Sequence, residues 1–445
     1  MNSPASLISF GCAKNLVDSE IMVAQLLRSG YCMTEDPAEA SVVVVNTCGF
    51  LLSAVEEGVQ SILEMVECKS SGPCKCLIVT GCMVQRYGKK LAALLPEVDL
   101  FLGTSHCHRL AEILVEWQAG NERRVWLAAP RHLLDADTPR TRSTPSHTAY
   151  LKIAEGCGNS CSFCLIPHLR GPYRSRTIPD LVREAEMMVS EGVKEINLIA
   201  QDTASFGMDR EGSPQLIPLL ESMERLPGPL WIRLLYSYPD RVTDDLLDWM
   251  AQSEKIVPYL DIPIQHSSMK VLEKMRTNGS RGDPRDLISR IRSKMPSISL
   301  RTSLMVGFPG ETEADFQDLL EFLQEAQFDH LGVFAFSPEP GTAAARYHGQ
   351  LDDAIKEERR RILLEHQQEI SRRRLERLVG QVFPVLVEGY HPETNLLLCG
   401  RLATQAPEVD GGVLITKGLG IPGEFARARI TTAHPYDLEA ELLPF

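Results

Sequence analysis

Residues 150–171 read YLKIAEGCGNSCSFCLIPHLRG, and they constrain what the surrounding sequence has to be. The stretch opens as a strand and runs into a loop holding Cys157, Cys161 and Cys164, spaced C-x3-C-x2-C. In parallel α/β barrels the loops after the strands hold the active site. Three thiolates on one short loop reach three corners of a four-iron cubane. The fourth iron is then left without a protein ligand, which is an open position for chemistry. A closed electron-transfer cluster wants a fourth cysteine, and none is nearby in sequence. The alternative is three buried or zinc-binding thiols, but zinc loops favour two paired C-x2-4-C units reaching four ligands.

After this loop strand and helix alternate. A helix begins at Thr177, a capping residue, with Pro179 in its first turn. Leu181, Val182, Ala185, Met188 and Val189 form its apolar face, and Gly192 ends it. The strand EINLIA follows, then a helix near 214–225, WIRLLY, a helix from Thr243 and VPYLDI. A helix over 283–294, ISLRTSLMV, a helix from Thr312 and HLGVFAF complete the series. Six strands with right-handed crossovers predict an open, partial (β/α)6 barrel over 148–350.

Residues 1–127 alternate in the same way: LISF, a helix from about Asp18 to Ser29, SVVVVN, a helix over 53–67, CLIVT and VDLFLG. This predicts a parallel α/β sandwich with helices on both faces. Pro130, Pro139 and Pro145 among Ser, Thr and Arg mark 128–147 as a linker. Cys12, Cys48 and Cys82 each sit just past a strand, in SLISFGC, VVVVNTC and LIVTGC. The carboxyl ends of parallel strands converge on one crevice. Three cysteines there can hold a second cluster with one open iron; the alternative is three buried structural thiols. Cys68, Cys74, Cys76 and Cys82 are a further zinc candidate. Their C-x5-C-x-C-x5-C spacing matches no common zinc loop, and they would take Cys82 from the strand-end set. Cys32 and Cys399 read as small hydrophobes.

Residues 351–379 carry 8 basic and 7 acidic side chains and predict a solvated connecting helix with a salt-bridged face. Residues 380–445 switch to VFPVLVEG, NLLLCGRL, GGVLITKG and FARARITTA, which predict a small, five-stranded, antiparallel β-barrel of the OB type. That segment holds 4 basic and 8 acidic residues, a net charge of −4, whereas an OB barrel that grips nucleic acid has a positive groove. The whole chain of 445 residues has 46 basic and 59 acidic side chains, a net charge of −13. That balance fits a basic partner better than RNA or DNA. Twelve cysteines in a reducing compartment point to metal or catalysis rather than to disulfides. No run of eighteen uncharged apolar residues predicts a membrane span, and MNSPASLISFGCAKN has no secretory pattern. The expectation is a cytoplasmic protein.

The loop of Cys157, Cys161 and Cys164 is the signature of the radical S-adenosylmethionine (SAM) superfamily, which the chain resembles. With Cys12, Cys48 and Cys82 and the C-terminal barrel in view, it resembles the methylthiotransferases along nearly its whole length. The resemblance implies an N-terminal cysteine-bearing domain, a radical-SAM partial barrel and a C-terminal TRAM domain. It implies SAM and two [4Fe-4S] clusters as cofactors. In that family SAM chelates the open iron of the barrel cluster and is cleaved by one electron to a deoxyadenosyl radical. The N-terminal cluster supplies or presents sulfur, one SAM methylates that sulfur, and the product carries –SCH3 in place of hydrogen. Phe163 matches the family's aromatic position near adenine. Gln201 and Asp202 end the second barrel strand, where the family contacts the SAM amino group. Gly307, Gly310 and Glu311, in VGFPGET, match the surroundings of adenine.

GCAKNLVDSE, NTCGFLLSAVEE, AQDTASFG, YLDIPIQHSS and RTSLMVGFPGET look like the protein-modifying branch, RimO, rather than the tRNA adenosine branches. That branch implies as substrate the β-carbon of an aspartate in small-subunit ribosomal protein twelve, a basic protein. It also implies an electron donor such as a flavodoxin or ferredoxin. FAFSPEPGTAAAR (334–346) and Gly158-Asn159-Ser160 depart from the branch, the first toward the tRNA side. Arg170, Arg174 and Arg176 of LRGPYRSR stand open between pairing with carboxylates of SAM or target and plain surface charge. The competing readings are another sulfur-inserting radical enzyme of the biotin or lipoyl synthase kind and a non-catalytic iron–sulfur or zinc protein. Two sets of three cysteines leave two irons open, which a passive carrier does not need.

Overall fold

The computed structural model describes residues 3–275 and 282–444. Strands β1 (Ser3–Ser9), β2 (Tyr31–Met33), β3 (Val42–Thr47), β4 (Cys76–Gly81), β5 (Leu100–Leu102) and β6 (Val125–Trp126) form one parallel sheet. Their order is β2-β1-β3-β4-β5-β6. Every residue of β3 and β4 is buried, because helices cover both faces. Val43, Val45, Leu77 and Val79 pack with Ile62 and Met83 on one face. Val42, Val44 and Ile78 pack with Met22, Leu26 and Leu110 on the other. The edge strands β2 and β6 are three and two residues long, too short to leave a pattern in the sequence.

The second sheet begins with β7 (Thr148–Lys152). A two-stranded ribbon of β8 (Ala154–Glu155) and β9 (Arg174–Ser175) follows, and then β10 (Glu195–Ile199), β11 (Trp231–Leu234), β12 (Ile256–Asp261), β13 (Ser299–Val306) and β14 (His330–Ala335). Six parallel strands run in the order β14-β13-β12-β11-β10-β7, an open curl with two free edges. The expected caps are present: Thr177 accepts from Asp180 N, Thr243 from Leu246 N, and Thr312 forms a capping box with Asp315.

The C-terminal strands β15 (Val382–His391), β16 (Thr394–Leu402), β17 (Val413–Lys417), β18 (Phe425–Ala433) and β19 (Leu438–Leu442) close a barrel in the order β15-β16-β17-β19-β18. The wholly antiparallel barrel expected from sequence is corrected at one seam, where β17 and β19 run parallel. Strand direction cannot alternate all the way round a closed ring of five strands. The connecting helix, Asp353–Glu376, is not solvated all round. Lys356, Arg359, Leu363, Gln367, Ile370 and Ser371 are buried on one face. Gln367 and Ser371 donate to the carbonyls of Phe328 and Asp329 at 2.9 and 3.1 Å. That face is mostly polar, so it left no apolar stripe to read. The opposite face has the expected pairs, such as Arg361 with Glu358 and Glu365.

The two flanking modules fill the inside of the open barrel. Val17 and Ile21, from the helix Ala13–Arg28, meet Tyr150, Ile199, Val257, Tyr259 and Ala406 in one buried cluster. Ala406 belongs to the β16–β17 loop of the small barrel. Glu195, the first residue of β10, bonds Arg233 and Arg401 at 2.8 and 2.5 Å. Asp410 takes Tyr259 Oη at 2.7 Å and Arg301 at 2.5 Å. The small barrel therefore seals the amino end of the strands and leaves the carboxyl end, where the cysteine loop lies, free for chemistry. Among the described residues no helix is long and apolar enough to cross a membrane.

Candidate functional site

The β8–β9 ribbon clamps the two ends of the cysteine loop, pairing Ala154 with Ser175 and Glu155 with Arg174. Gly156 turns into the loop at φ +83°, where a Cβ would fall 2.1 Å from the carbonyl oxygen of Pro172, so only glycine fits. Within the loop Asn159 N–H and Ile166 N–H donate to Cys157 Sγ and Cys164 Sγ, each at 3.4 Å. Burial, with the neighbouring thiols adding, pushes Cys161 and Cys164 up to about 12. Burial also raises Cys157. Cys161 and Cys164 thus feel the neighbouring thiols, and three thiols that are costly to ionise alone fit a site where metal charge stabilises the thiolates.

A cleft of about 380 Å³ opens beside Cys161 and Phe163, walled by Tyr238, Ile264, Gln265 and Leu272. It has the size of a small-molecule site. At the end of β10, Asp202 Oδ2 accepts from Asn159 Nδ2 at 3.3 Å and Arg241 at 2.8 Å. Gln201 Nε2 donates to Glu155 Oε1 at 2.8 Å. Among the described residues, Asp202 Oδ1 and Gln201 Oε1 are buried acceptors with no hydrogen-bond partner. Two orphaned oxygens near the cysteine loop fit the amine of a bound ligand.

Gly307, Gly310 and Glu311 lie in the turn after β13. Glu311 Oε2 accepts from Gly307 N and Phe308 N at 2.7 and 3.1 Å, and Oε1 takes Arg359 at 2.5 Å. A Cβ on Gly307 would fall 2.2 Å from the Lys356 side chain, and one on Gly310 would fall 2.5 Å from Lys274 Nζ. Glu311, through Arg359, fastens the turn after β13 to the connecting helix, and Gly310 lies against Lys274.

The second cysteine set sits on three adjacent strands. Cys12 follows β1 and precedes the helix Ala13–Arg28, Cys48 follows β3, and Cys82 opens the helix Cys82–Leu94 after β4. Glycines bring these turns together. A Cβ on Gly11 would lie 3.2 Å from Cys48 Cβ, and one on Gly49 would lie 2.6 Å from the Cys82 backbone. Burial raises Cys82 to about 11, against the pull of Arg170 and with Cys12 and Cys48 adding. Burial alone would raise Cys12 too, but Lys14 and Arg170 outweigh it and the net shift is downward. Among the described residues no three Cys, His, Asp or Glu close on a single-ion site. The zinc quartet drops out as well, because Cys74 and Cys76 pack into cores on opposite faces of the sheet.

A buried network joins the two sets. Arg170 ends the short helix Ile166–Arg170 that follows Cys164. It donates to Cys82 Sγ at 3.2 Å, to Asp18 Oδ2 at 2.5 Å and to Asn15 Oδ1 at 3.0 Å. Lys152 bridges Asp18 and Glu155 at 2.6 and 2.8 Å. Arg176 is also buried, on Asp180 and Glu184 at 2.7 and 2.6 Å. Arg170 and Arg176 are therefore bound to the chain's own carboxylates and are neither ligand contacts nor surface charge. Sequence reasoning missed this network, since Asn15, Asp18 and Lys152 looked like ordinary helix and strand residues.

Comparison with known proteins agrees with this geometry. Residues 5–103 match the uncharacterized protein family UPF0004, 151–323 the radical SAM superfamily and 379–443 the TRAM domain. The ribosomal protein uS12 methylthiotransferase RimO of Syntrophobacter fumaroxidans is 57% identical over 443 residues, covering 100% of this chain and 99% of its own. RimO of Trichlorobacter lovleyi is 47% identical, covering 98% of each chain. This chain belongs to the RimO family. It is a radical SAM enzyme of the methylthiotransferase type, with SAM and [4Fe-4S] clusters as cofactors. Solved structures share the fold at much lower identity. The radical SAM methyltransferase TsrM of Kitasatospora setae, with cobalamin and a [4Fe-4S] cluster bound, aligns with a TM-score of 0.56 at 14% identity, over 75% of each chain. The cobalamin-dependent radical SAM enzyme OxsB aligns with a TM-score of 0.52 at 10% identity, over 81% of this chain and 56% of its own.

Proposed function

We propose that this chain replaces a hydrogen on the β-carbon of an aspartate in ribosomal protein uS12 with a methylthio group. The observation that carries this reading is the presence of two separate three-cysteine sets, tied together through Arg170. The named relatives supply the substrate, and the net charge of −13 suits a basic partner.

Cys157, Cys161 and Cys164 would hold one cluster, and Cys12, Cys48 and Cys82 the other. When bound beside the first, SAM supplies hydrogen-atom abstraction from an unactivated C–H bond. The chain's own residues bind and shield. Gln201 and Asp202 accept hydrogen bonds from the ligand's amine, and Phe163 with Ile264 and Leu272 forms an apolar wall that excludes water. Glu311 holds the turn of Gly307 and Gly310 in place behind the site. Electrons come from a small reduced carrier such as a flavodoxin or ferredoxin. A ribosomal substrate fits a reaction in the cytoplasm.

Anaerobic incubation with uS12, SAM and a reductant, followed by peptide mass spectrometry, tests the reading. One added methylthio group on an aspartate is the expected product. Methylthiolated tRNA beside untouched uS12 would move the chain to the sister branch.

A further inference from the structure

Lys14 lies in the first turn of the helix Ala13–Arg28, two residues past Cys12, and is only 8% exposed. Its ammonium stands 3.2 Å from the ring centroid of Tyr236. Tyr236 belongs to the other module, just beyond the carboxyl end of β11. It holds φ at +61°, a left-handed conformation rare for an aromatic residue. Asp261 helps pin it there by accepting Tyr236 N–H at 3.0 Å. Lys14 therefore belongs to the turn of the strand-end cysteine set, its backbone hydrogen-bonding Cys12, while its ammonium packs on the open end of the barrel.

The other buried cations at this junction are already neutralised. Lys152 has Asp18 and Glu155 at 2.6 and 2.8 Å, and Arg170 has Asp18 at 2.5 Å. Among the described residues no carboxylate lies within 4.0 Å of the Lys14 ammonium. Tyr236 is also a side-chain hydrogen-bond partner of the ammonium, and the fields of Cys12 and Asp261 reach it. The ammonium thus rests against an aromatic ring with no carboxylate in contact. Such a group is suited to an anion that arrives from outside. In the proposed reaction the carbon that loses hydrogen is bonded to the carbon of a carboxylate. Hydrogen leaves toward the barrel and sulfur comes from the strand-end set, so the reacting carbon lies between the two, with its carboxylate one bond away.

We infer that Lys14 binds the side-chain carboxylate of the target aspartate and selects aspartate over its amide. This rests on the proposed function. Tyr236 holds the ammonium in position by its ring, and Asp261 holds Tyr236.

The test uses the anaerobically reconstituted enzyme and fluorescent peptides spanning the target loop of uS12, with either aspartate or asparagine at the modified position. Charge-assisted hydrogen bonds predict that wild type binds the aspartate peptide roughly tenfold or more tightly than the asparagine peptide. Lys14→Met abolishes that preference by weakening only the aspartate peptide, and Lys14→Arg keeps most of it. Iron content and unfolding midpoint of each variant check that it is folded, and the wild-type comparison of the two peptides needs no variant at all. Equal binding of both peptides by wild type overturns the inference. So does a Lys14→Met enzyme that keeps the preference, or one in which only the spectrum of the strand-end cluster changes. Those outcomes leave the proposed function standing if wild type still modifies uS12. A wild-type enzyme that leaves uS12 untouched overturns both.

Discussion

Arg170 Nε lies 3.2 Å from Cys82 Sγ, although the two residues are 88 apart in the chain. The same arginine follows Cys164 by one short helix, Ile166–Arg170. One guanidinium therefore fixes the spacing between the two cysteine sets. Its remaining nitrogens bond Asp18 and Asn15, so the docking of the N-terminal sheet on the barrel runs through it.

Arg170→Gln leaves Asp18 with Lys152 alone and removes the donor to Cys82. Breaking one partner out of a buried pair costs about 3–5 kcal/mol. Urea unfolding of the metal-free chain should show a lower midpoint by that order. An unchanged midpoint would mean that the network does not couple the modules.

Cys161→Ala should abolish SAM cleavage and product together. Cys48→Ala should leave deoxyadenosine formation measurable while stopping sulfur insertion, because Cys48 belongs to the other set. Quantifying deoxyadenosine and methylthiolated peptide in the same reaction separates the two. Full product from Cys48→Ala would remove the second cluster from the account.

In the metal-free chain the thiols should react unequally. Cys12 is open to solvent and Lys14 and Arg170 favour its ionisation, while burial holds Cys161 and Cys164 at about 12. Iodoacetamide at about pH 8 should label Cys12 first, since the thiolate is the nucleophile. Peptide mapping of a short labelling pulse reads the order, and early labelling of Cys161 or Cys164 would contradict it.

Glu195 makes the docking of the small barrel depend on acid. Burial would raise its carboxyl, but Arg401 and Arg233 hold it down to about 2. An acid whose folded value is depressed contributes stability above its unfolded value, near 4.3, and loses it as pH falls toward the folded value. About two units correspond to something on the order of 3 kcal/mol at neutral pH. Glu195→Gln should therefore be less stable than wild type at pH 7, with the gap closing between about pH 4 and pH 2. Urea curves that stay parallel across that window would show that Glu195 carries no such linkage.

Much of the cysteine geometry was legible because it follows from strand ends. Cys12, Cys48 and Cys82 each follow an apolar run, and β1, β3 and β4 prove to be neighbours. The six barrel strands lie where their apolar runs do, with Thr177, Thr243 and Thr312 as caps. What stayed hidden was made by polar residues meeting across modules. Asp18, Lys152 and Arg170 look like surface residues until two domains bury them together. Gly307 and Glu311 meet Lys356 and Arg359, a relationship set by where the connecting helix lands. The parallel seam of the small barrel follows from closure by five strands, which the local alternation of each strand does not encode.

The central claim is that each cysteine set holds its own cluster. The most direct measurement is the iron and acid-labile sulfide content of the anaerobically reconstituted chain, beside variants lacking one set. The account predicts about eight iron and eight sulfide per wild-type chain, and about four of each when either Cys157, Cys161 and Cys164 or Cys12, Cys48 and Cys82 are replaced by alanine. About four iron in wild type, all lost with the barrel set and untouched by loss of the strand-end set, would contradict it.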